Sequence, residues 1–332
     1  MRAARLLLLL AVALNTAGCG TFVAHCISRS PNLYPTWFAH GGVELQFNPR
    51  LLTNFVNRSV EVGPPPARLY YRVVGPANYG LRVTATNWMS HGEKDYRFTF
   101  RATVPAPTNQ WTSAPRGTVI LLHGYSLAQF SMLPWALQLG QEGWRCVLVD
   151  LRGHGDSTGR RIYFGVKETA DLSQLLDALA RSNDLSAPVD AVGESYGASL
   201  ALRWKTVEPR VDAVVAISPY PSLSNAVLNI AGQYAGWVPR GLVKSGVKQL
   251  PKVLQIPAAE FDTTTVLKRK RIAALFVAGA EDKITPIADV ERLRQLAAPG
   301  SELVVVPDAT HEALTYYFKE IGPPLQKWLE GH

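Results

Sequence analysis

Six short apolar runs, most of them separated by stretches with helical spacing, constrain this chain more than any other feature. They are Thr118 to Leu122, Cys146 to Asp150, Val189 to Val192, Val211 to Ile217, Ile272 to Ala278 and Glu302 to Val306. Helical patterns stand at Met132 to Gln141, Thr169 to Ser182, Ala198 to Val207, Ala288 to Ala297 and His311 to Leu329. Strands this uniformly apolar are buried on both faces, and a helix between neighbours is what a parallel crossover requires. The pattern predicts an α/β fold: a mostly parallel, doubly wound sheet with helices on both faces. Ahead of it, alternating patterns at Arg68 to Val74, Leu81 to Thr86 and Tyr96 to Val104 predict the antiparallel opening strands of a sheet.

One connection is too long for this scheme. About 50 residues separate Ile217 from Ile272, where a link with one return helix takes about 30. Pro219, Pro221, Pro239, Pro251 and Pro257 cut it into short pieces, and Trp237, Val238 and Leu242 to Leu254 leave apolar surface. A short helical cap over the carboxyl end of the sheet is expected at about 219–270.

The amino terminus has a different character. Arg2 and Arg5 precede an apolar core, Leu6 to Leu14, too short for a stable span, and small residues follow up to Cys19. This is the layout of an export signal. Thr16-Ala17-Gly18-Cys19 resembles a bacterial lipoprotein lipobox, with Thr16 where that pattern usually has Leu. The resemblance implies cleavage before Cys19, lipidation of its thiol and a membrane-anchored place in the cell envelope, the alternative being a secreted or periplasmic soluble protein. Residues 1–18 are then the signal, 19–66 an extension without recognisable chemistry that packs on the body and links it to the anchor, and 67–332 the α/β domain with the cap. In the extension, Asn48 is placed to cap a helix that Pro49 opens, and Pro64-Pro65-Pro66 stiffens the boundary.

The composition is that of a globular protein, 47% hydrophobic and 18% charged over 332 residues. Of the +8 formal charge, Arg2 and Arg5 leave with the signal. Much of the rest gathers at Lys268 to Arg271 and at Lys244, Lys248 and Lys252, the latter spaced as on one helix face. Neither cluster has the aromatic interleaving that stacks bases, so nucleic acid is disfavoured. Cys146 reads as a core residue of a strand, no metal-ligand spacing occurs, and nothing in the sequence speaks to oligomeric state.

Ligands of open α/β sheets sit at the carboxyl ends of the strands, and there the polar residues converge. After Leu122 stand His123-Gly124-Tyr125; after Asp150, Leu151-Arg152-Gly153-His154-Gly155-Asp156; after Val192, the pentapeptide Gly193-Glu194-Ser195-Tyr196-Gly197; after Ala278, Gly279-Ala280-Glu281-Asp282; after Val306, Pro307-Asp308-Ala309-Thr310-His311. A Gly-x-Ser-x-Gly between strand and helix makes a sharp turn that lifts the serine hydroxyl, with glycines where a side chain would collide.

With these five loops in this order, the chain resembles the α/β-hydrolase superfamily over roughly residues 67–332. Within it, the branch of monoacylglycerol lipases, lysophospholipases and S33-type serine aminopeptidases is the nearest. The resemblance implies Ser195 as nucleophile, His311 as general base and Asp282 as the carboxylate that orients it, the Ser, acid, His order of this fold. It implies the backbone N–H groups of Tyr196 and Tyr125 as oxyanion donors, with His123, Gly124, Gly193 and Gly197 shaping the site. His154, Arg152 and Asp156 read as structural, Asp308 as shaping the loop before His311. His25, His40, His91 and His332 have no supporting context. No cofactor or metal is implied. A serine at the elbow excludes the dehalogenase and epoxide hydrolase chemistries, which place a carboxylate there. The expected activity is hydrolysis of carboxylic esters, of acyl-glycerol or lysophospholipid type, through an acyl-enzyme. An S33-type aminopeptidase or a thioesterase is the alternative within the fold, and a catalytically inactive envelope binding lipoprotein the alternative outside it.

Overall fold

The computed structural model describes residues 18–29, 43–46, 48–90, 93–104 and 114–332. Of the export signal read at residues 1–18, all but Gly18 lies outside these, as do His40 and His91. Among the described residues no helix is long and apolar enough to cross a membrane.

Among the described residues, eleven strands fall into two sheets. In chain order they are β1 (Val43–Gln46), β2 (Arg58–Val62), β3 (Ala67–Val74), β4 (Arg82–Ser90), β5 (Glu93–Arg101), β6 (Thr118–Leu122), β7 (Arg145–Val149), β8 (Val189–Glu194), β9 (Val214–Ile217), β10 (Leu275–Gly279) and β11 (Glu302–Val306). The main sheet runs β11-β10-β9-β8-β6-β7-β3-β2. From β6 onward every pairing is parallel; β3 joins β7, and β2 joins β3, antiparallel. Strands β6 to β10 are buried at every residue, as their apolar runs require. The sheet begins one strand earlier than the alternation suggested: Arg58, Ser59 and Glu61 on β2 are exposed, and a polar outer edge of this kind is easily read as loop.

Successive side chains of each strand feed opposite cores, and helices cover both. On one face Val119, Leu121, Cys146, Leu148 and Val192 pack against α1 (Leu133–Gln141) and the last helix, α9 (Phe318–Glu330). On the other, Ile120, Leu122, Val147 and Ala191 meet α2 (Glu168–Arg181), α3 (Tyr196–Val207) and α7 (Ile287–Leu296). This is the doubly wound α/β arrangement. The strand order reverses between β6 and β8, so the loops after these two strands diverge and leave a crevice, the switch point where such sheets bind ligands.

Of the three alternating segments, only the first joins the main sheet. β4 and β5 form a hairpin that, with β1 parallel to β5, makes a separate three-stranded sheet. Its buried face is aromatic: Phe98 and Phe100 lie 5.6 and 5.7 Å from the ring of Tyr316, and Phe100 5.9 Å from Phe318. The hairpin alternates because it covers those rings, which is why its pattern could not be told from that of a main-sheet strand. The helix read at His311 to Leu329 is correspondingly broken into α8 (His311–Leu314) and α9, since Tyr316 and Tyr317 turn toward this second sheet.

The long connection holds α4 (Leu223–Tyr234), α5 (Arg240–Leu254), a 3-10 turn and α6 (Thr263–Arg269). α4 and α5 pack on each other above the carboxyl ends of the strands, whereas Leu267 of α6 belongs to the main core. Lys244, Lys248 and Lys252 are exposed on α5.

Candidate active site

Ser195 sits between β8 and α3 with φ 51° and ψ −107°, a conformation held by its surroundings. The flanking glycines are sterically required. A Cβ on Gly193 would stand 2.3 Å from the carbonyl oxygen of Gly197, and one on Gly197 would stand 2.2 Å from that of Leu122. Backbone is on the receiving side in both cases and cannot swing away. Gly197→Ala is therefore expected to cost about 1–3 kcal/mol or more, read as a lower denaturant midpoint.

Three polar side chains from three loops meet here. His311 Nε2 lies 3.0 Å from Ser195 Oγ, and His311 Nδ1 lies 2.8 Å from Asp282 Oδ2. Asp282, nearly fully buried, is also surrounded by donors: Ser218 Oγ at 2.7 Å and Thr285 Oγ1 at 2.8 Å on Oδ2, and the N–H groups of Ile284 and Thr285 at 2.8 and 2.7 Å on Oδ1. Burial would push this carboxyl up, but the charge and hydrogen bond of His311, with the Thr285 and Ser218 donors, outweigh it and hold the pKa below the ordinary value. His311 shows the counterpart. Burial pulls its pKa down, and the charge and hydrogen bond of Asp282, with the charge of Glu194, carry it above the usual histidine value. A hydroxyl, an imidazole and a buried carboxylate so linked can transfer a proton from the serine as it attacks.

Ser218 and Thr285 carried no sequence signal that singled them out. Ser218 is held at φ 52° directly after β9, and only the fold brings it to Asp282. Glu194 was passed over as the variable position of the pentapeptide. Its carboxyl is buried behind His311, and burial pushes its pKa up to about 7 against the pull of the His311 charge.

The remaining residues take supporting positions. His123 is fully buried; its Nε2 accepts from Leu151 N–H at 3.0 Å and its Nδ1 is 2.8 Å from Gly124 O. Burial and the nearby His154 drive its pKa well below the ordinary value, so it is neutral. His154 packs edge-on against it, with ring centroids 5.0 Å apart, and burial takes its pKa down to about 4. Arg152 forms a buried two-point pair with Asp171, at 2.7 and 2.6 Å. Asp156 is reached by the Asn57 amide at 3.1 Å. Tyr96 and Tyr317 both donate to Asp308 O, so the second sheet braces the loop that leads to His311. Tyr196 opens α3, where first-turn N–H groups have no partner inside the helix, and Tyr125 follows β6 across the crevice. Cys146 is buried in β7, and Cys19 and Cys26 are exposed and free. Among the described residues no three His, Cys, Asp or Glu side chains gather as metal ligands would.

Above Ser195 opens a cavity of about 730 Å³. Tyr125, Phe164 and Tyr220 border its base, and α4 and α5 roof it through residues such as Ile230 and Leu242. The third wall comes from residues 18–27, which are helical and contribute Phe22, Val23, Cys26 and Ile27. The extension, expected to pack on the body as a link without chemistry, thus lines the same cavity as Ser195. Its apolar residues Phe22, Val23 and Ile27 form no pattern in sequence that points to a cavity, and only the fold places them there.

A model of the serine aminopeptidase family S33 matches residues 113–259, which include Ser195 and most of the cap. A monoacylglycerol lipase of Mycolicibacterium smegmatis is 26% identical over 256 residues, covering 67% of this chain and 91% of that protein. The Pyrococcus furiosus esterase Pf2001 superposes over 91% of this chain and 98% of its own, with a TM-score of 0.60 at 20% identity. The chain has the α/β-hydrolase fold. A Bacillus subtilis protein of uncharacterised function, YqkD, is 21% identical over 215 residues, and this chain spans 66% of its length, just under two thirds.

Proposed function

We propose that this hydrolase cleaves carboxylic esters with apolar acyl groups, of acyl-glycerol or lysophospholipid type, through an acyl-enzyme on Ser195. His311 takes the serine proton during attack and returns it to the leaving alkoxide. Asp282 fixes the imidazole tautomer and stabilises its protonated form. The N–H groups of Tyr196 and Tyr125 receive the oxyanion; losing one such donor typically costs about 10² to 10³ in rate. The observation that carries this reading is the Ser195, His311 and Asp282 hydrogen-bond chain, with contacts of 3.0 and 2.8 Å, opening into an apolar cavity. A hydrocarbon-lined cavity favours an acyl chain over a charged amino-terminal residue, because burying an unpaired ammonium is costly.

The test is a series of p-nitrophenyl esters of increasing acyl length run beside an aminoacyl-nitroanilide. Turnover of the longer esters well above the anilide is expected. A preference for the anilide would return the protein to the aminopeptidase alternative, and folded protein that neither turns over nor reacts with a fluorophosphonate would favour the binding-lipoprotein alternative. We also propose export and lipidation at Cys19. Palmitate should label the unaltered chain in cells and not Cys19→Ser; equal labelling of both refutes the anchor.

A further inference from the structure

We infer that residues 19–29 are a structural wall of the acyl cavity, and that Phe22 and Val23 on this wall set how long an apolar chain the hydrolase accepts. The inference rests on the esterase reading of the cavity.

The segment is docked on both the cap and the body. Toward the cap, Gly20 lies against Ser245, where an added Cβ would meet Ser245 Oγ at 2.3 Å. On the facing helix, a Cβ on Gly246 would meet Val23 Cγ1 at 2.3 Å. One glycine on each partner thus allows an approach that leaves no room for a methyl group. Toward the body, Ala24 is fully buried in the main core. Ser28 O accepts from Ile162 N–H at 2.8 Å. The Tyr125 phenol donates to Ile27 O and Arg29 O, both at 3.0 Å. Tyr125 therefore joins the segment to the loop after β6, which borders the serine. A segment with buried contacts and hydrogen bonds on two sides is part of the fold.

What it gives the cavity is apolar length. Ser195, Val23, Phe22 and Trp237 line the same cavity, and Phe22, 69% exposed, and Trp237, 86% exposed, stand where it meets solvent. A short acyl group bound at Ser195 would not reach this rim, whereas a long one would run along Val23 toward Phe22. Each buried CH₂ contributes about 0.8 kcal/mol, so loss of the wall should penalise esters in proportion to chain length.

Two variants of the full chain test this. Phe22→Asp puts charge on an already exposed rim position, and Gly246→Val pushes Val23, and the segment with it, off the cap. The readouts are the ratio of kcat/KM for p-nitrophenyl dodecanoate over the acetate, and dodecanoate binding followed by tryptophan fluorescence in a Ser195→Ala background. The binding measurement decides the matter even if no ester is turned over, so failure of the wall is separable from failure of the esterase reading. In both variants the ratio should fall at least tenfold and the dodecanoate Kd should rise about tenfold. Met89→Asp, at an exposed apolar residue on the second sheet, should change neither. An unchanged ratio and unchanged Kd in folded Phe22→Asp would overturn the inference, whether or not Gly246→Val folds.

Discussion

Ser195→Ala is expected to lower ester turnover by about 10⁴- to 10⁶-fold and to abolish fluorophosphonate labelling, with the thermal midpoint essentially kept. His311→Ala should cost a similar factor, because a serine hydroxyl without its base is a poor nucleophile near neutral pH. The decisive arm is the double variant. The two side chains act through one hydrogen bond of 3.0 Å, so Ser195→Ala with His311→Ala should be scarcely slower than either alone. Multiplying losses would mean that the two act in separate steps, and labelling that survives Ser195→Ala would remove the proposed nucleophile.

The second large effect is on pH dependence. His311 can act as a base only when neutral, so kcat/KM should rise as pH climbs through its pKa and fall away below it. That pKa lies above the ordinary histidine value: burial opposes the charge, but Asp282, by charge and hydrogen bond, and Glu194, by charge, prevail. Asp282→Asn removes the Asp282 contributions and leaves burial opposed by Glu194 alone. The acid limb should therefore move to lower pH while the plateau drops about 10⁴-fold, since the asparagine cannot fix the productive tautomer. Glu194→Gln should move the limb the same way by less. A limb that stays in place in Asp282→Asn would show that another group sets it. A limb that moves to higher pH would contradict the electrostatics of the buried pair.

The main sheet was legible because its strands are apolar on both faces; Val119 and Ile120 need opposite cores, and only helices on both sides supply them. The elbow was legible for a steric reason. A Cβ on Gly193 or Gly197 would stand 2.3 or 2.2 Å from backbone oxygen, and a requirement that strict leaves its mark in residue type. Three things were not legible, each because it depends on contacts across the chain. Ser218 and Thr285 are ordinary loop residues until the fold delivers them to Asp282. The strands β4 and β5 alternate as main-sheet strands do, and the aromatic rings that divert them to their own sheet lie more than 200 residues away. Phe22, Val23 and Ile27 follow a run of leucines that dominates any hydropathy reading, so their place beside Ser195 appears only in three dimensions.

The bracing of the His311 loop by the second sheet has a consequence for how the molecule is made. Ribosomes deliver Tyr96, Phe98 and Phe100 more than 200 residues before the rings that cover them, Tyr316, Tyr317 and Phe318, so an apolar hairpin face stays wet in the meantime and invites chaperones. The same late stretch brings His311. The nascent chain therefore carries Ser195 before its hydrogen-bond partner, and the hairpin face is covered as the same stretch that holds His311 docks.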